Sequence, residues 1–328
     1  MHLSLVIPCY NEEESLPALF SALDGAVEDL IRRGHTVEVI IVDDGSRDRS
    51  AQLLREATTS RPWLQAIRLS RNFGQTAALA AGFSEATGEV IIPLDADMQN
   101  DPMDIPLLLS KLEEGFDVVS GWRHRRQDAR LTRILPSAVA NWLISRVSGV
   151  ALHDYGCTLK AYRREVLRDV HLYGEMHRFI PIYAAWHGAR VTEIPVRHHP
   201  RRAGKTKYGL GRVPRVLLDL LWVRFFWFYG TRPLHAFGMF GLLNIGLALL
   251  CFLLMVWFKY WGGKTFIQTP LPQLVVTLFG MGCLSILMGF LAEILMRTYH
   301  EAAGQPTFVV RERYLNGQAQ PAGPLGRR

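Results

Sequence analysis

Cysteine is scarce in this chain of 328 residues: Cys9, Cys157, Cys251 and Cys283 are scattered, without the close spacing of metal ligands. Neither a disulfide framework nor a zinc site is suggested. The eleven histidines form no ligand pattern either, and the adjacent His198 and His199 would point to opposite faces of a strand. Neither Gly-x-Gly-x-x-Gly nor a P-loop follows the first apolar run, which disfavours a dehydrogenase or an NTPase. Internal repeats and low-complexity blocks are lacking as well, except in the Gly-, Gln-, Pro- and Arg-rich segment after Asn316, where disorder is expected. No cleavable leader is expected, because Met1-His2-Leu3-Ser4 runs straight into strand-like Leu5-Val6-Ile7.

Two long stretches lack charge altogether. The 25 residues Leu234 to Phe258 and the 22 residues Leu271 to Ala292 contain no Asp, Glu, Lys or Arg. At about 1.5 Å per residue, each can cross a hydrocarbon core of about 30 Å as a helix. An integral membrane protein is expected rather than two buried core helices, with both ends on the cytosolic side, where Arg297, Arg311 and Arg313 fit the positive-inside rule. Only Lys259 to Pro270 would face outward, and its two lysines weigh against that orientation. Gly238, Gly241 and Gly246 permit close helix packing, which leaves room for a homo-oligomer.

What is present is cationic and unevenly placed. The net charge of +7 gathers in Arg123, Arg125, Arg126, Arg130 and Arg133, and again in Arg201, Arg202, Lys205, Lys207, Arg212 and Arg215. Such clusters suit nucleic acid, anionic lipid or a phosphate substrate, and the apolar spans favour the latter two over nucleic acid.

The first half alternates strand-like and helix-like segments, the pattern of an α/β sheet with crossover helices. Strands are expected near Leu3 to Ile7, Val37 to Val42, Leu64 to Leu69, Glu89 to Leu94 and Asp117 to Ser120. Helices are expected over Glu12 to Arg33, with Asn11 as N-cap, and over Arg47 to Ser60. Leu135 to Val147 and Arg212 to Tyr229 read as amphipathic helices suited to a membrane surface, or alternatively to packing on the sheet.

Three polar segments fall at expected strand ends, where open sheets bind their ligands: Pro8-Cys9-Tyr10-Asn11-Glu12, Asp43-Asp44-Gly45-Ser46 and Asp95-Ala96-Asp97-Met98-Gln99. The last offers two hard carboxylate ligands one residue apart, where a divalent metal holding a diphosphate could sit. Solvated turn residues are the alternative there, and a turn with a helix cap is the alternative for Asp43-Asp44.

These segments, together with Arg71-Asn72-Phe73-Gly74-Gln75, Asp154-Tyr155-Gly156-Cys157 and Lys205-Thr206-Lys207-Tyr208, resemble family 2 glycosyltransferases of GT-A fold. The resemblance is to the polyprenyl-phosphate branch and covers roughly residues 3 to 315. It implies a Rossmann-like, mixed and mainly parallel sheet with flanking helices, then juxtamembrane amphipathic helices and two transmembrane helices. The implied division is a cytosolic catalytic domain over 1–211, a juxtamembrane helix over 212–233, two transmembrane helices within 234–296 (234–258 and 271–296), and a cytosolic tail over 297–328.

The same resemblance implies residue roles. Pro8, Tyr10, Asn11, Glu12, Asp43, Asp44, Asn72, Gln75, Asp95, Ala96 and Asp97 look like donor-binding positions, and Asp95, Asp97 and Gln99 like the site of Mg²⁺ or Mn²⁺. Arg123, Arg126, Arg133, Arg201 and Lys207 are candidates for the lipid phosphate and the donor diphosphate, since cations, and Arg in particular, bind phosphate well. Asp154 is a candidate for a direct role or for pairing an arginine, and Asn72 and Gln75 either position the donor or cap the next helix.

The implied reaction is inverting transfer of one sugar from a UDP- or GDP-sugar to a polyprenyl phosphate at the cytosolic face of a bacterial inner membrane. A lipid phosphate is already an anion and needs no general base, so a metal and several cations matter more than a catalytic dyad. Another membrane acceptor, or a sugar-binding scaffold without catalysis, remains an alternative. A processive synthase is disfavoured, since no Gln-x-x-Arg-Trp motif and only two spans are found.

Overall fold

The structure is a computed structural model. It describes all residues except 125–140, 142–143, 147, 169–175, 200–232, 264, 303–307 and 322–328. Contacts divide the chain into two units, Met1–Asp219 with Pro306–Arg328, and Leu220–Gln305.

The first unit is built on strands that are buried on both faces. Strands β1 (His2–Cys9), β2 (Thr36–Asp43), β3 (Leu64–Leu69) and β4 (Val90–Pro93) pair in parallel in the order β4-β1-β2-β3. Their near-continuous Val, Ile and Leu runs suit a sheet covered on both sides. Leu3, Leu5, Ile7, Val39, Ile41 and Ile92 are fully buried.

Helix α1 (Leu16–Arg32) lays Leu16, Leu19, Phe20, Leu23, Val27 and Leu30 on the core at helical spacing. Its start differs from expectation. Asn11 is not the N-cap: its backbone sits at φ 51° and its Oδ1 accepts instead from the Arg47 amide at 2.9 Å. The helix begins after Ser15, with Pro17 in its first turn, where the missing N–H costs nothing. Likewise α2 (Ser50–Ser60) starts three residues later than expected.

Helix α3 (Gln75–Glu85) presents a face of Ala77, Ala78, Ala81 and Gly82 to the sheet. A Cβ on Gly82 would collide with the Val6 side chain, so glycine is what lets α3 approach β1 this closely. Helix α4 (Ile105–Glu113) covers the other end of the core with Ile105, Leu108, Leu109 and Leu112.

The sheet then becomes mixed, as expected. Strand β5 (Val118–Trp122) pairs antiparallel with β6 (Lys160–Arg163), which pairs antiparallel with β4. After the short α5 (Arg164–Arg168) and α6 (Ile180–Trp186), β7 (Val191–Pro195) runs parallel to β5 at the sheet edge.

The second unit holds α7 (Pro233–Tyr260) and α8 (Leu271–Ala302). Within them Phe237–Tyr260 and Leu271–Ala292 are long and apolar enough to cross a membrane. Their outward faces expose Leu, Phe and Met side chains that water would not favour. The helices meet at Gly241 and Gly282, where a Cβ on either would stand 2.8 Å from the other's carbonyl oxygen.

The chain after α8 then rejoins the sheet of the first unit. Strand β8 (Val310–Leu315) pairs antiparallel with β3, and β9 (Gln318–Pro321) with β8. The expected disorder after Asn316 is therefore corrected for residues 318–321, which complete a nine-stranded sheet. The physical reason is pairing: Tyr314 is buried, Arg313 bonds Glu85 at 2.6 Å, and the Gly317 amide donates to Thr58 Oγ1 at 3.2 Å. The expected amphipathic helix over Arg212 to Tyr229 lies outside the described residues, as does most of that over Leu135 to Val147.

Candidate functional site at the strand ends

The strand order changes direction at β1: β2 and β3 follow on one side, and β4 lies on the other. Ligands of open α/β sheets bind outside the carboxyl ends of the strands at such a switch point. All three polar segments singled out in the sequence arrive there.

The ends of β1 and β2 are stitched to each other. The Asp44 amide donates to the Cys9 carbonyl at 2.8 Å, the Asn11 amide to Ser46 Oγ at 2.9 Å, and the Glu12 amide to Ser50 Oγ at 2.9 Å. Gly45, at φ 71°, lies against the backbone of Arg71: a Cβ there would be 2.5 Å from the Arg71 carbonyl carbon.

The two carboxylates after β2 differ in what they do. Asp44 is buried and accepts from the Phe73 amide at 2.7 Å and the Gly74 amide at 2.8 Å, one bond to each oxygen. It clamps the turn that opens α3. Asp43 accepts from the Ser46 amide through Oδ1, while its buried Oδ2 lies 3.4 Å from Arg68 Nε and has no hydrogen-bond partner among the described residues. Burial raises the proton affinity of both, against the hydrogen bonds that favour the charged forms. Pro8 and Tyr10 are half-buried beside them and Asn72 is exposed.

Asp95 follows β4 by two residues and is held by two side chains. Gln75 Nε2 donates to its Oδ1 at 2.9 Å, and the Thr158 side chain hydrogen-bonds it as well. Burial, then the charge of Asp97, pushes its pKa up to about 6, while Arg123 and Arg178 pull the other way. Ala96 and Asp97 are buried, and Asp97 accepts from the Gln99 amide at 3.2 Å. Met98 between them is held at φ 59°, a left-handed conformation that costs roughly 1–2 kcal/mol outside glycine. The Gln99 carbonyl accepts from the His199 amide at 2.9 Å.

The pair fits a divalent cation chemically: two hard oxygen donors repel each other at the end of a buried strand, which a cation between them would relieve. Among the described residues no three His, Cys, Asp or Glu gather to hold a metal alone. A substrate's phosphate oxygens would have to complete the ligand set.

Arg123 extends from the end of β5 onto Asp154. Its Nε meets Oδ2 at 2.7 Å and its Nη2 meets Oδ1 at 3.0 Å, a two-pronged pair with Asp154 almost fully buried. Burial opposes the guanidinium charge, but Asp154 outweighs it and the net direction is toward a more firmly protonated Arg123. Asp154 also accepts from the Gly156 amide at 3.1 Å, so it orders its own loop. Of the two roles open for Asp154 in the sequence, the geometry shows the pairing of an arginine.

Lys160 completes this loop from below. It is buried, and its Nζ donates to the carbonyls of Tyr155 and Cys157, while burial lowers its pKa. Burial pushes the Cys157 thiol up to about 11, so it is a packed, unreactive group.

Sequence reasoning missed Thr158, Lys160, His177, Arg178 and Arg68. Thr158 and Lys160 adjoin the recognised Asp154–Cys157 segment, and that adjacency was the available signal. His177 and Arg178 sit in a 3₁₀ turn, Met176–Arg178, that carries no periodic pattern. Arg126, Arg133, Arg201 and Lys207 lie outside the described residues.

Three comparisons with known proteins point the same way. The family described as glycosyl transferase family 2 matches residues 4–170. The dodecaprenyl-phosphate galacturonate synthase of Rhizobium johnstonii is 42% identical over 316 residues, covering 95% of this chain and 93% of that protein. The undecaprenyl-phosphate 4-deoxy-4-formamido-L-arabinose transferase of Pseudomonas fluorescens is 40% identical over 328 residues, covering 98% and 92%. The fold matches glucosyl-3-phosphoglycerate synthase from Mycobacterium tuberculosis, solved with Mn²⁺, UDP and glucosyl-3-phosphoglycerate, at TM-score 0.52 and 18% identity over 68% of this chain and 79% of that one.

Proposed function

The chain belongs to glycosyl transferase family 2, and from that premise we propose that it moves one sugar from a UDP- or GDP-sugar to a polyprenyl phosphate, with inversion at the anomeric carbon. The observation that carries this reading is identity of 40% or more, over nearly the full chain, to two proteins named for sugars joined to polyprenyl phosphates. The expected cytosolic domain, two-span anchor and inner-membrane location belong to the same reading. A polyprenyl tail gains about 0.8 kcal/mol per buried CH₂, so the acceptor stays in the bilayer and the enzyme must meet it there.

The chemistry follows from charge. An oxygen of the acceptor phosphate forms the bond to the anomeric carbon as the bond to the donor diphosphate breaks, and the nucleoside diphosphate leaves with the electron pair. No proton has to move. The residues must therefore hold two anions close together and absorb the charge that grows on the leaving group.

Asp43, whose buried Oδ2 has no hydrogen-bond partner among the described residues, is assigned to a hydrogen-bond donor of the nucleotide, with Pro8, Tyr10, Asn11 and Glu12 along the same edge. Asp44 acts on the donor site indirectly, by fixing the turn that carries Asn72 and Gln75. Asp95 and Asp97, with Gln99 alongside, would hold Mg²⁺ or Mn²⁺, which neutralises charge on the departing diphosphate. Arg123, held by Asp154 and near enough for its charge to act on Asp95, would offer its remaining guanidinium N–H groups to phosphate oxygens. Arg126, Arg133, Arg201 and Lys207 are assigned to the acceptor and donor phosphates by sequence alone.

The test is transfer from a panel of UDP- and GDP-sugars to undecaprenyl phosphate by purified protein with Mg²⁺ or Mn²⁺. A glycolipid that disappears with Asp97→Ala and with chelator supports the reading. No glycolipid from any donor, with nucleotide binding intact, would move the assignment to another acceptor or to a non-catalytic role.

A further inference from the structure

The first turn of α3 touches three parts of the site through consecutive residues. The Gly74 amide, at its N-cap, is held by Asp44 from the end of β2 at 2.8 Å. Gln75 reaches Asp95 beyond β4 at 2.9 Å. Thr76 reaches in a third direction: its Oγ1 and His177 Nδ1 share a hydrogen bond of 2.7 Å.

That last pair joins groups 101 residues apart, and both are buried, with Thr76 6% and His177 9% exposed. Desolvating a hydroxyl and an imidazole is unfavourable unless they are well paired, so the contact fixes the position of α3 against the 3₁₀ turn. The next residue of that turn, Arg178, acts on the charge of Asp95 and comes close to Gly156 in the Asp154 loop. A Cβ on Gly156 would stand 3.5 Å from Arg178 Nη1 and 3.1 Å from Arg123 Nη2. The 3₁₀ turn is therefore linked to the site through α3 and through the Asp154–Gly156 loop.

We propose that His177 is a positioning residue for the divalent-cation site: by holding Thr76 it fixes the start of α3, and with it the Gln75 amide that orients Asp95. The role rests on the reading of Asp95 and Asp97 as metal ligands. Groups that orient a metal's own ligands typically set its affinity by 10- to 100-fold when removed.

The experiment titrates Mn²⁺ into the purified full chain with UDP, and in parallel with GDP, and follows free Mn²⁺ by electron paramagnetic resonance. His177→Ala and Thr76→Val should each weaken Mn²⁺ binding about tenfold, at the low end of that range. The double variant should be no weaker than either single one, because both remove the same link. His177→Asn, whose amide can occupy the place of Nδ1, should restore affinity to within about threefold of the unaltered protein, well short of the loss that a missing ligand partner causes. Should His177→Ala fail to fold, Thr76→Val and His177→Asn carry the same comparison. Mn²⁺ affinity left unchanged by Thr76→Val, or losses that multiply in the double variant, would overturn the proposal. Unaltered protein that takes up no Mn²⁺ with either nucleotide would instead overturn the metal reading, and this role with it.

Discussion

Replacing Asp154 by Ala leaves the Arg123 guanidinium in place without its carboxylate. Two charge-assisted bonds of 2.7 and 3.0 Å disappear, together with the bond from the Gly156 amide. Removing one member of a buried ion pair costs about 3–5 kcal/mol, and the 17% exposure of the Arg123 side chain lets water recover some of that, so about 3–4 kcal/mol is expected. For a domain of this size each kcal/mol moves the melting temperature by about 2–4 °C, giving a fall in Tm of roughly 6–16 °C. Intrinsic fluorescence of the detergent-solubilised chain during heating measures it. Arg123→Met combined with Asp154→Leu should recover most of the stability, since no charge is then stranded, while sugar transfer remains lost. A fall of less than about 3 °C for Asp154→Ala would refute the reasoning, because it would mean that Arg123 finds water or another partner as readily.

Mn²⁺ affinity should fall about tenfold for each pH unit below 6, because Asp95, with its pKa raised to about 6, must lose its proton to act as a ligand. Metal-free protein should show the opposite trend in stability: the folded state binds this proton more tightly than the unfolded chain, so the Asp95 contribution declines as pH rises from 3.8 to about 6 and is flat above. Paired titrations at pH 5 and 7, compared with Asp95→Asn, check both signs. Gly45→Ala should destabilise the fold by about 2–4 kcal/mol, since a left-handed alanine is strained and its Cβ would collide with the Arg71 backbone at 2.5 Å. Thermal unfolding checks it, and a neutral result would mean that the Gly45 and Arg71 loops separate easily.

The parallel core was legible because its strands are continuous apolar runs. Val39 to Val42 and Val90 to Ile92 admit few other readings. Strand β6 was hidden, since Lys160-Ala161-Tyr162-Arg163 has charged ends and only four residues. Strands β8 and β9 were hidden for a different reason: an edge hairpin of Arg, Glu and Gln resembles a solvated tail until a partner strand supplies its hydrogen bonds.

The site shows the same division. Strand-end position placed Asp43, Asp44, Asp95 and Asp97 together, because strand ends in such a sheet converge. It could not tell a ligand from a clamp. Asp44 spends both oxygens on the turn before α3, and Asn11 caps the loop after β2 rather than its own helix. Those partners lie about thirty residues away in the chain, and spacing alone does not reveal them. The Arg123–Asp154 pair, 31 residues apart, was open for the same reason.

The central claim is that a lipid phosphate attacks the sugar directly. It is tested by identifying the nucleotide released during turnover with undecaprenyl phosphate, alongside the mass of the lipid product. Release of the nucleoside diphosphate, with a product carrying one sugar on one phosphate and the anomeric configuration opposite to that of the donor, is the predicted result. Release of the nucleoside monophosphate, with a lipid diphosphate product, would contradict it, because the bond broken would then lie between the phosphates and not at the anomeric carbon.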